Sequence, residues 1–561
     1  MNKIPPEILA HVLEQIPKEL NEGSSWRINS YHAKLACYAT VSRSWRACIE
    51  RVVFKELTVT TEELSIFIAL FRGKNIARRA YLSTLYIVFL LPPTLNPLGC
   101  CPVTRVPNRL ADSQVFSASV AEVFAILADL EARAIVRSTI TLYFFRTFRK
   151  PEPGMIGREY NACSALKFGA SHYSRDIREA QAVSGQYELV HEEFLPMLYG
   201  IEAFKLSEFD ELRYLKHSCI SKIVGRLPNV ERLSLATEDS YERGRNHRLR
   251  RRESFAKSIC SLMGDQIRQI RIISYHHNMG NESSPVHRLV DHNTWDQDSW
   301  FRIFNHFATF PNLAILEMTG GLVVCLEFFR GIVLQADAPF PALVQLQLEF
   351  APETADGRWF HVLDEDTIQQ SRNDPKWESW WEEEDEEYDE SDDGRSLSSQ
   401  QHAQVYEDGP FRTEVVRWNQ FRSLPDSSTM LPFLLDASKA ISRITTLRKF
   451  ILKIDDHFEE SQRLHHYPIV RRVFELWYVK AGTPRSPKDA PRGDYPKIIG
   501  DAAYLHRNRL YWRVNGWKPW DELQASWQST VGEDAKIVFL EEDNWVTQGN
   551  NSMLLRYEGI F

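Results

Sequence analysis

The residues with the clearest potential for chemistry are two histidine pairs, His276-His277 and His465-His466. Neither pair has a further ligand at helical distance, as a zinc site requires, so we interpret both as surface or loop histidines. The stretch HNTWDQDSWF, residues 292–301, mixes acids with aromatic rings as a glycosidase cleft does. The separation of the carboxylates decides such chemistry, and a sequence does not contain it.

Motifs with a defined catalytic mechanism do not occur in the sequence. There is no GxxxxGK[ST] phosphate loop, no GxSxG elbow, no HExxH pair and no EF-hand spacing. The eight cysteines are scattered without a CxxC pair, mostly in apolar stretches, which favours reduced, buried thiols over disulfides or zinc ligands. We therefore predict no catalytic residue, no cofactor, no metal and no enzymatic activity. An enzyme with a site assembled from distant residues, in the repeats or the C-terminal region, is the less favoured alternative.

Charge is distributed unevenly along the chain. The formal net charge is −8, but residues 378–393 carry eleven acids and no base, so the remainder is +3. This balance argues against a nucleic-acid-binding protein of the strongly basic kind. Six arginines between residues 243 and 252 form a basic stretch, which we interpret as a solvated surface loop; a nuclear-import signal or attraction to the acidic segment are the alternatives.

The elements that would position a binding surface begin at the N-terminus. Apolar residues at helical spacing predict a first helix, with prolines at its first turn and Pro17 at its end: Ile4, Ile8, Leu9, Val12, Leu13 and Ile16. A second helical stretch follows within residues 35–54, with Ser42 as its N-cap. So few residues do not bury this much apolar surface among themselves, and part of it must face a partner.

These N-terminal residues resemble an F-box. The resemblance lies in Pro5-Pro6-Glu7-Ile8-Leu9, Ile16-Pro17, the VSRSWR segment at 41–46 and Ile49; with Arg78-Arg79 it extends to a large fungal F-box family over residues 1–92. Ile4 in place of the usual Leu and a long insert after Pro17 are departures. The resemblance implies a helical hook that binds the Skp-type adaptor of a cullin-RING ubiquitin ligase. The implied contact residues are Pro5, Pro6, Ile8, Leu9, Leu13, Val41, Trp45 and Ile49.

A short signature recurs downstream of the hook. It reads LPNVERLSL at 227–235, FPNLAILEM at 310–318, FPALVQLQL at 340–348 and ITTLRKFIL at 444–452, with helical patterns between the copies. The shortest spacings are close to leucine-rich repeats. We predict an α/β fold: an N-terminal helical F-box followed by an irregular leucine-rich-repeat-like strand-helix solenoid. A doubly wound sheet is the alternative.

The composition predicts four parts: an F-box at 1–54, the solenoid at 55–355, an acidic disordered loop at 356–410, and a Trp-rich continuation or cap at 411–561. In the last part we predict a helix over 467–481 and a tryptophan-rich core. No apolar run is long enough to span a membrane, and the start does not match a signal peptide, so we expect a cytoplasmic or nuclear protein.

The sequence therefore predicts a non-catalytic substrate receptor. The expected partners are the Skp-type adaptor, through it a cullin, and an unknown protein substrate held by the solenoid, with no nucleic acid and no membrane. The rival interpretation is an F-box scaffold outside ubiquitination. It shares the hook, so the sequence does not separate the two.

Overall fold

The computed structural model describes residues 37–93, 107–133, 139–150, 186–207, 212, 214–239, 245–276, 286–291, 293–363, 422–454, 474–483, 504–514 and 517–539. Twelve of its strands form one sheet in which spatial order follows chain order, without the reversal that defines a doubly wound sheet. All neighbours in this sheet are parallel except the two pairs made by β12 (Phe474–Val479). The protein is thus a mixed α/β fold built on a large, mostly parallel sheet.

The other strands of the large sheet are β1 (Glu56–Thr60), β2 (Thr84–Leu91), β3 (Ile140–Arg149), β4 (Ile201–Leu206), β5 (Arg232–Glu238), β6 (Gln269–Tyr275), β7 (Ile315–Leu322), β8 (Gln345–Phe350), β11 (Lys449–Ile454), β13 (Arg509–Val514) and β14 (Lys536–Phe539). Strands β9 (His361–Leu363) and β10 (Arg422–Pro425) form a separate antiparallel pair. In this pair, Leu363 and Arg422 are Cα partners.

The helices are α1 (Arg43–Val53), α2 (Leu64–Phe71), α3 (Arg109–Arg133), α4 (Ser218–Val224), α5 (Arg245–Cys260), α6 (Ser299–Phe307), α7 (Arg330–Leu334), α8 (Met430–Arg443) and α9 (Asp521–Val531). From α4 to α9, each helix packs on the next one in the chain. The helices therefore form a row beside the sheet that follows the same order as the strands. No helix of the described residues is both long enough and apolar enough to cross a membrane.

Alternation along the strands assigns one sheet face to the main core. In β6, for example, Ile270 and Ile272 are fully buried in the core that helices α2–α9 share, while Arg271 points to the opposite side. The signature copies supply the same pattern through Leu-x-Leu pairs such as Leu346 and Leu348 in β8. We call the side opposite this core the second face.

Two sequence predictions are wrong in this part of the structure. Residues 474–479, inside the predicted helix over 467–481, form strand β12. Both faces of this strand are buried, Phe474 and Leu476 in the main core and Trp477 on the second face, so its apolar pattern does not alternate as a half-exposed strand does. Strand β9 lies inside the range 356–410 predicted to be a disordered loop, so that boundary falls too early.

The tryptophan-rich core of the C-terminal part is confirmed for the residues described. Trp512 and Trp527 are fully buried and meet edge to face at 6.4 Å, while Trp517 and Trp520 pack against the same core. The predicted buried thiols are also confirmed where they are described, because Cys48, Cys219 and Cys325 are free and buried and Cys260 is free and partly buried.

Candidate functional site

Five of the eight predicted adaptor contacts, Pro5, Pro6, Ile8, Leu9 and Leu13, lie outside the described residues. The other three lie at helix α1. Val41, just before the helix, is 50% exposed, Trp45 is partly buried, and Ile49 is 1% exposed within a small cluster formed with Cys48, Ala39, Val52 and Val53. This cluster is separate from the main core.

Helix α1 has a defined start and a firm attachment to the sheet domain. The backbone N–H of Trp45 donates to Ser42 Oγ at 3.2 Å, which confirms Ser42 as the N-cap. On another side of the helix, Arg78 Nη2 donates to Glu50 Oε1 at 2.7 Å, and the Arg78 guanidinium lies 4.8 Å from the ring centre of Phe54. These contacts fix the orientation of α1 relative to the first strands.

The second face of the sheet carries a continuous row of paired residues. Strand register aligns one residue from each strand across all twelve strands: Thr58, Tyr86, Tyr143, Lys205, Ser234, Arg271, Glu317, Gln347, Ile451, Trp477, Tyr511 and Val538. Neighbouring strands are about 4.8 Å apart, so the row extends over roughly 50 Å. Its chemistry changes along its length, from aromatic through charged and polar back to aromatic.

Two aromatic residues of this row, Tyr86 and Tyr143, form a triad of rings with Phe145 of β3. The ring centre of Tyr86 lies 5.3 Å from that of Tyr143 and 5.6 Å from that of Phe145. The ring centres of Tyr143 and Phe145 are 5.3 Å apart. Burial, with Glu56 and Tyr143 nearby, raises the pKa of Tyr86 to about 12. The Tyr86 hydroxyl therefore stays protonated near neutral pH and can donate a hydrogen bond.

Charged side chains occupy the middle of the row. The Lys205 ammonium lies 5.8 Å from the ring centre of Tyr143, and Arg271 Nε is 3.6 Å from Glu317 Oε2. Burial, followed by the like charges of Arg271 and Arg232, lowers the pKa of Lys205 against the opposing effect of Glu56. Positive charge thus dominates around this lysine.

The last third of the row is a second, smaller apolar cluster. Ile451, Trp477 and Tyr511 are all under 10% exposed and pack with Val479 and Val538. Beside them, Glu475 forms ion pairs with Lys453 and Arg513, both at 3.2 Å. This part of the second face is well packed.

A buried ionic network lies where strands β5, β6 and β8 end. Asp239 follows β5, His276 follows β6 and Glu353 lies shortly after β8. Arg248 of helix α5 forms ion pairs with Asp239 and Glu353, and His276 Nε2 lies 3.6 Å from Glu353 Oε1. Arg248 Nε donates to Asp239 Oδ1 at 2.9 Å, and its two terminal nitrogens lie 3.4 Å from Glu353 Oε1. The network is almost completely buried, with Arg248 at 2% exposure.

Asp298 extends this network to helix α6. Its carboxylate accepts from Arg252 Nη2 at 2.6 Å, from the Trp300 N–H at 3.1 Å and from the Cys325 N–H at 2.8 Å. It is thus the N-cap of α6, and it ties that helix to α5 and to the segment after β7.

Electrostatics favour the ionised forms of Asp239, Glu353 and Arg248. Burial opposes ionisation of Asp239, but Arg248 and Arg252 outweigh it and hold the pKa of this carboxyl well below its usual range. The pKa of Glu353 is likewise lowered against its burial, mainly by His276 and Arg248. Burial lowers the pKa of Arg248, but the charges of Asp239 and Glu353 outweigh it and raise the pKa overall.

One sequence interpretation is wrong at this network. Arg248, Arg251 and Arg252 belong to helix α5 and are buried, whereas a solvated loop was predicted for the arginine-rich stretch. His276, predicted to be a surface or loop histidine, lies in the loop directly after β6 but is only 6% exposed. Asp298, from the acidic-aromatic stretch 292–301, is a buried helix cap.

A helical signal for the buried arginines was present in the sequence. Arg248, Arg252, Phe255 and Ile259 are spaced by four, three and four residues, as on one helix face. Their partners Asp239, Asp298 and Glu353 are up to 105 residues away from Arg248, so the pairing itself had no local signal. Among the described residues, no group of three or more His, Cys, Asp or Glu side chains is arranged to hold a metal ion.

Comparison with known proteins assigns no family: no family model matches the chain, and no curated protein matches it significantly.

Proposed function

We propose that this chain is a non-catalytic substrate receptor of a Skp-cullin-F-box type ubiquitin ligase. The N-terminal hook binds a Skp-type adaptor through the apolar residues named above, and the sheet, as a leucine-rich-repeat-like solenoid, holds a protein target. The receptor contributes proximity and orientation, since the bond chemistry takes place on the attached ligase.

The observation that carries this proposal is the single sheet in chain order with all of helices α2–α9 in one core. Such an arrangement is typical of repeat proteins, which present a long second face to partners. The twelve-residue row places aromatic and charged side chains on that face, the residue types that dominate binding energy at interfaces. The capped and tethered helix α1 supports a hook held in one orientation at the first edge of the sheet.

The hook is tested by replacing two of its predicted apolar anchors. The double variant Leu9→Ala, Trp45→Ala should lose co-purification with the adaptor, because truncating buried anchors costs about 2 kcal/mol or more each at interfaces. Ile66→Ala is a matched control, because Ile66 is 60% exposed on helix α2 and belongs to no predicted contact. Undiminished adaptor binding by the double variant would refute the hook.

A further inference from the structure

The middle of the second face contains a gap between two cations. Lys205 of β4 and Arg271 of β6 are both register partners of Ser234 on the intervening strand β5. Their Cα atoms are therefore about two strand spacings, or roughly 10 Å, apart. The side chain between them is small, and Ala203 and Ala236 beside it on the same face are small as well. We call Lys205, Ser234 and Arg271 the cationic notch.

The charge in this notch is incompletely balanced. Lys205 forms no ion pair with any carboxylate of the described residues, and its ammonium lies 5.8 Å from the ring centre of Tyr143. Arg271 forms an ion pair with Glu317 at 3.6 Å, but within the part of the chain that the structure describes its buried Nε has no partner at hydrogen-bond distance. By contrast, Arg232 at the rim is paired with Glu202 at 2.8 Å.

An aromatic surface borders the notch on one side. Tyr143 is the register partner of Lys205, and it contacts Tyr86 and Phe145 in the ring triad described above. A ligand that spans both features meets rings first and cations within one or two strand spacings. A peptide segment that carries an aromatic side chain close to an acidic one matches this arrangement of rings and cations.

We propose that the cationic notch binds an acidic, aromatic-containing segment of the target protein. A Glu or Asp carboxylate enters above Ser234 between Lys205 and Arg271, and an aromatic or apolar side chain of the same segment packs on the partly exposed rings of Tyr86 and Tyr143. This inference rests on the proposed receptor function and names the class of target that the receptor takes.

The chemistry of the notch favours a carboxylate over a neutral ligand. A carboxylate accepts charge-assisted hydrogen bonds from an ammonium and a guanidinium together, which supplies the partner that Arg271 Nε lacks. It also relieves the repulsion of Lys205 by Arg271 and Arg232, which adds to burial in lowering the pKa of the lysine. The protonated Tyr86 hydroxyl is a further donor at the rim.

The test uses the full-length chain and a fluorescein-labelled decapeptide of glutamates around one tryptophan, with its glutamine counterpart as the neutral control. Fluorescence anisotropy at low salt measures the dissociation constant. We expect Lys205→Gln to weaken binding of the acidic peptide about fivefold, as for the loss of one partly desolvated charge contact. Lys205→Arg should bind within twofold of the unchanged chain, since it keeps the charge.

A matched control distinguishes the notch from general charge attraction. Lys257→Gln removes one positive charge from an exposed site on helix α5, in the helix layer, and should leave binding within twofold of the unchanged chain. Equal weakening by Lys205→Gln and Lys257→Gln, or equal binding of the acidic and neutral peptides, would overturn the proposal.

The same measurement distinguishes an external target segment from an acidic segment of this chain as the ligand of the notch. Residues 378–393 of this chain hold eleven acids next to tryptophans. If the peptide binds only after those acids are replaced by Gln and Asn, this chain's own segment occupies the notch, and the proposal of an external target segment is wrong. Adaptor co-purification on the same samples is independent of the notch, so failure of the peptide test leaves the hook assignment standing.

Discussion

At the residue scale, the buried network around Arg248 shows how three carboxylates and two guanidiniums are accommodated inside the fold. Each acid comes from a different connection, after β5, before α6 and after β8, and the arginines of helix α5 lie between them. Moving each charge from water into the interior costs several kcal/mol of folding free energy. The folded state is therefore stable only if each buried charge keeps the partners that offset this cost. The network therefore makes the junction of helix α5 with the ends of β5, β6 and β8 and the start of α6 sensitive to a single substitution.

Asp239→Asn should lower the free energy of unfolding by about 3 kcal/mol at pH 7, because it leaves Arg248 and Arg252 with less compensation. The folded pKa of Asp239 is depressed, so its stabilisation is complete above the ordinary aspartate pKa and is lost as the pH falls towards the folded value. The difference between the two proteins should thus be constant from pH 7 to 5 and narrow below about pH 4. Urea unfolding at each pH measures it.

The control for this substitution is Asp291→Asn, because the side chain of Asp291 is 69% exposed and is paired with the exposed Arg288. A surface change of this kind should alter the free energy of unfolding by less than about 0.5 kcal/mol. If Asp239→Asn and Asp291→Asn give equal effects, the network is not a source of stability.

At the element scale, helix α1 depends on its first turn. Ser42→Ala removes the acceptor for the Trp45 N–H and should destabilise the helix by about 1 kcal/mol. Hydrogen exchange of the amides in residues 43–53 should then quicken about fivefold, since exchange follows local opening. Ser44→Ala, inside the helix and exposed, is the control and should leave exchange unchanged or slower, because alanine favours helix. Equal exchange in both variants would show that the cap does not stabilise α1.

How far the sequence predicts an element depends on how many of its faces are buried. The Leu-x-Leu copies predicted β5, β7 and β8 because alternate residues of each strand are buried in the main core and the other face carries polar residues. They also predicted β11, which has the same core-facing alternation although Ile451 is buried on its second face. Strand β12 was missed because both of its faces are buried. The early turns of helix α5 were missed because arginines occupy the buried positions of its stripe, and arginine is rarely buried unless it is paired.

The candidate binding face could be predicted only in part for a similar reason. The signature predicted strands, and alternation places Arg271 or Glu317 opposite the core. Which residues become neighbours across strands depends on register, however, and the separations between consecutive strands vary widely in the sequence. The pairing of Lys205, Ser234 and Arg271 over 67 residues of chain has no local signal. The row was therefore visible only in the folded chain.

At the scale of the whole molecule, the proposed functions are separated along one sheet. Helix α1 lies at the β1 edge, whereas the cationic notch lies on β4–β6, several strands away. In a sheet that grows in chain order, each unit contacts mainly its neighbours, so substitutions at distant units should act independently. The two binding activities can thus be removed one at a time.

Two double variants of the full chain test this independence. Leu9→Ala with Trp45→Ala should abolish adaptor co-purification and leave the affinity for the acidic peptide within twofold. Lys205→Gln with Arg271→Gln should weaken peptide binding by about 25-fold, if two contacts of about 1 kcal/mol each add, and leave adaptor binding unchanged. Both quantities are measured on each sample. Loss of both activities in either variant would show that the hook and the notch are one coupled site, and the division of a receptor into an adaptor end and a target face would not hold.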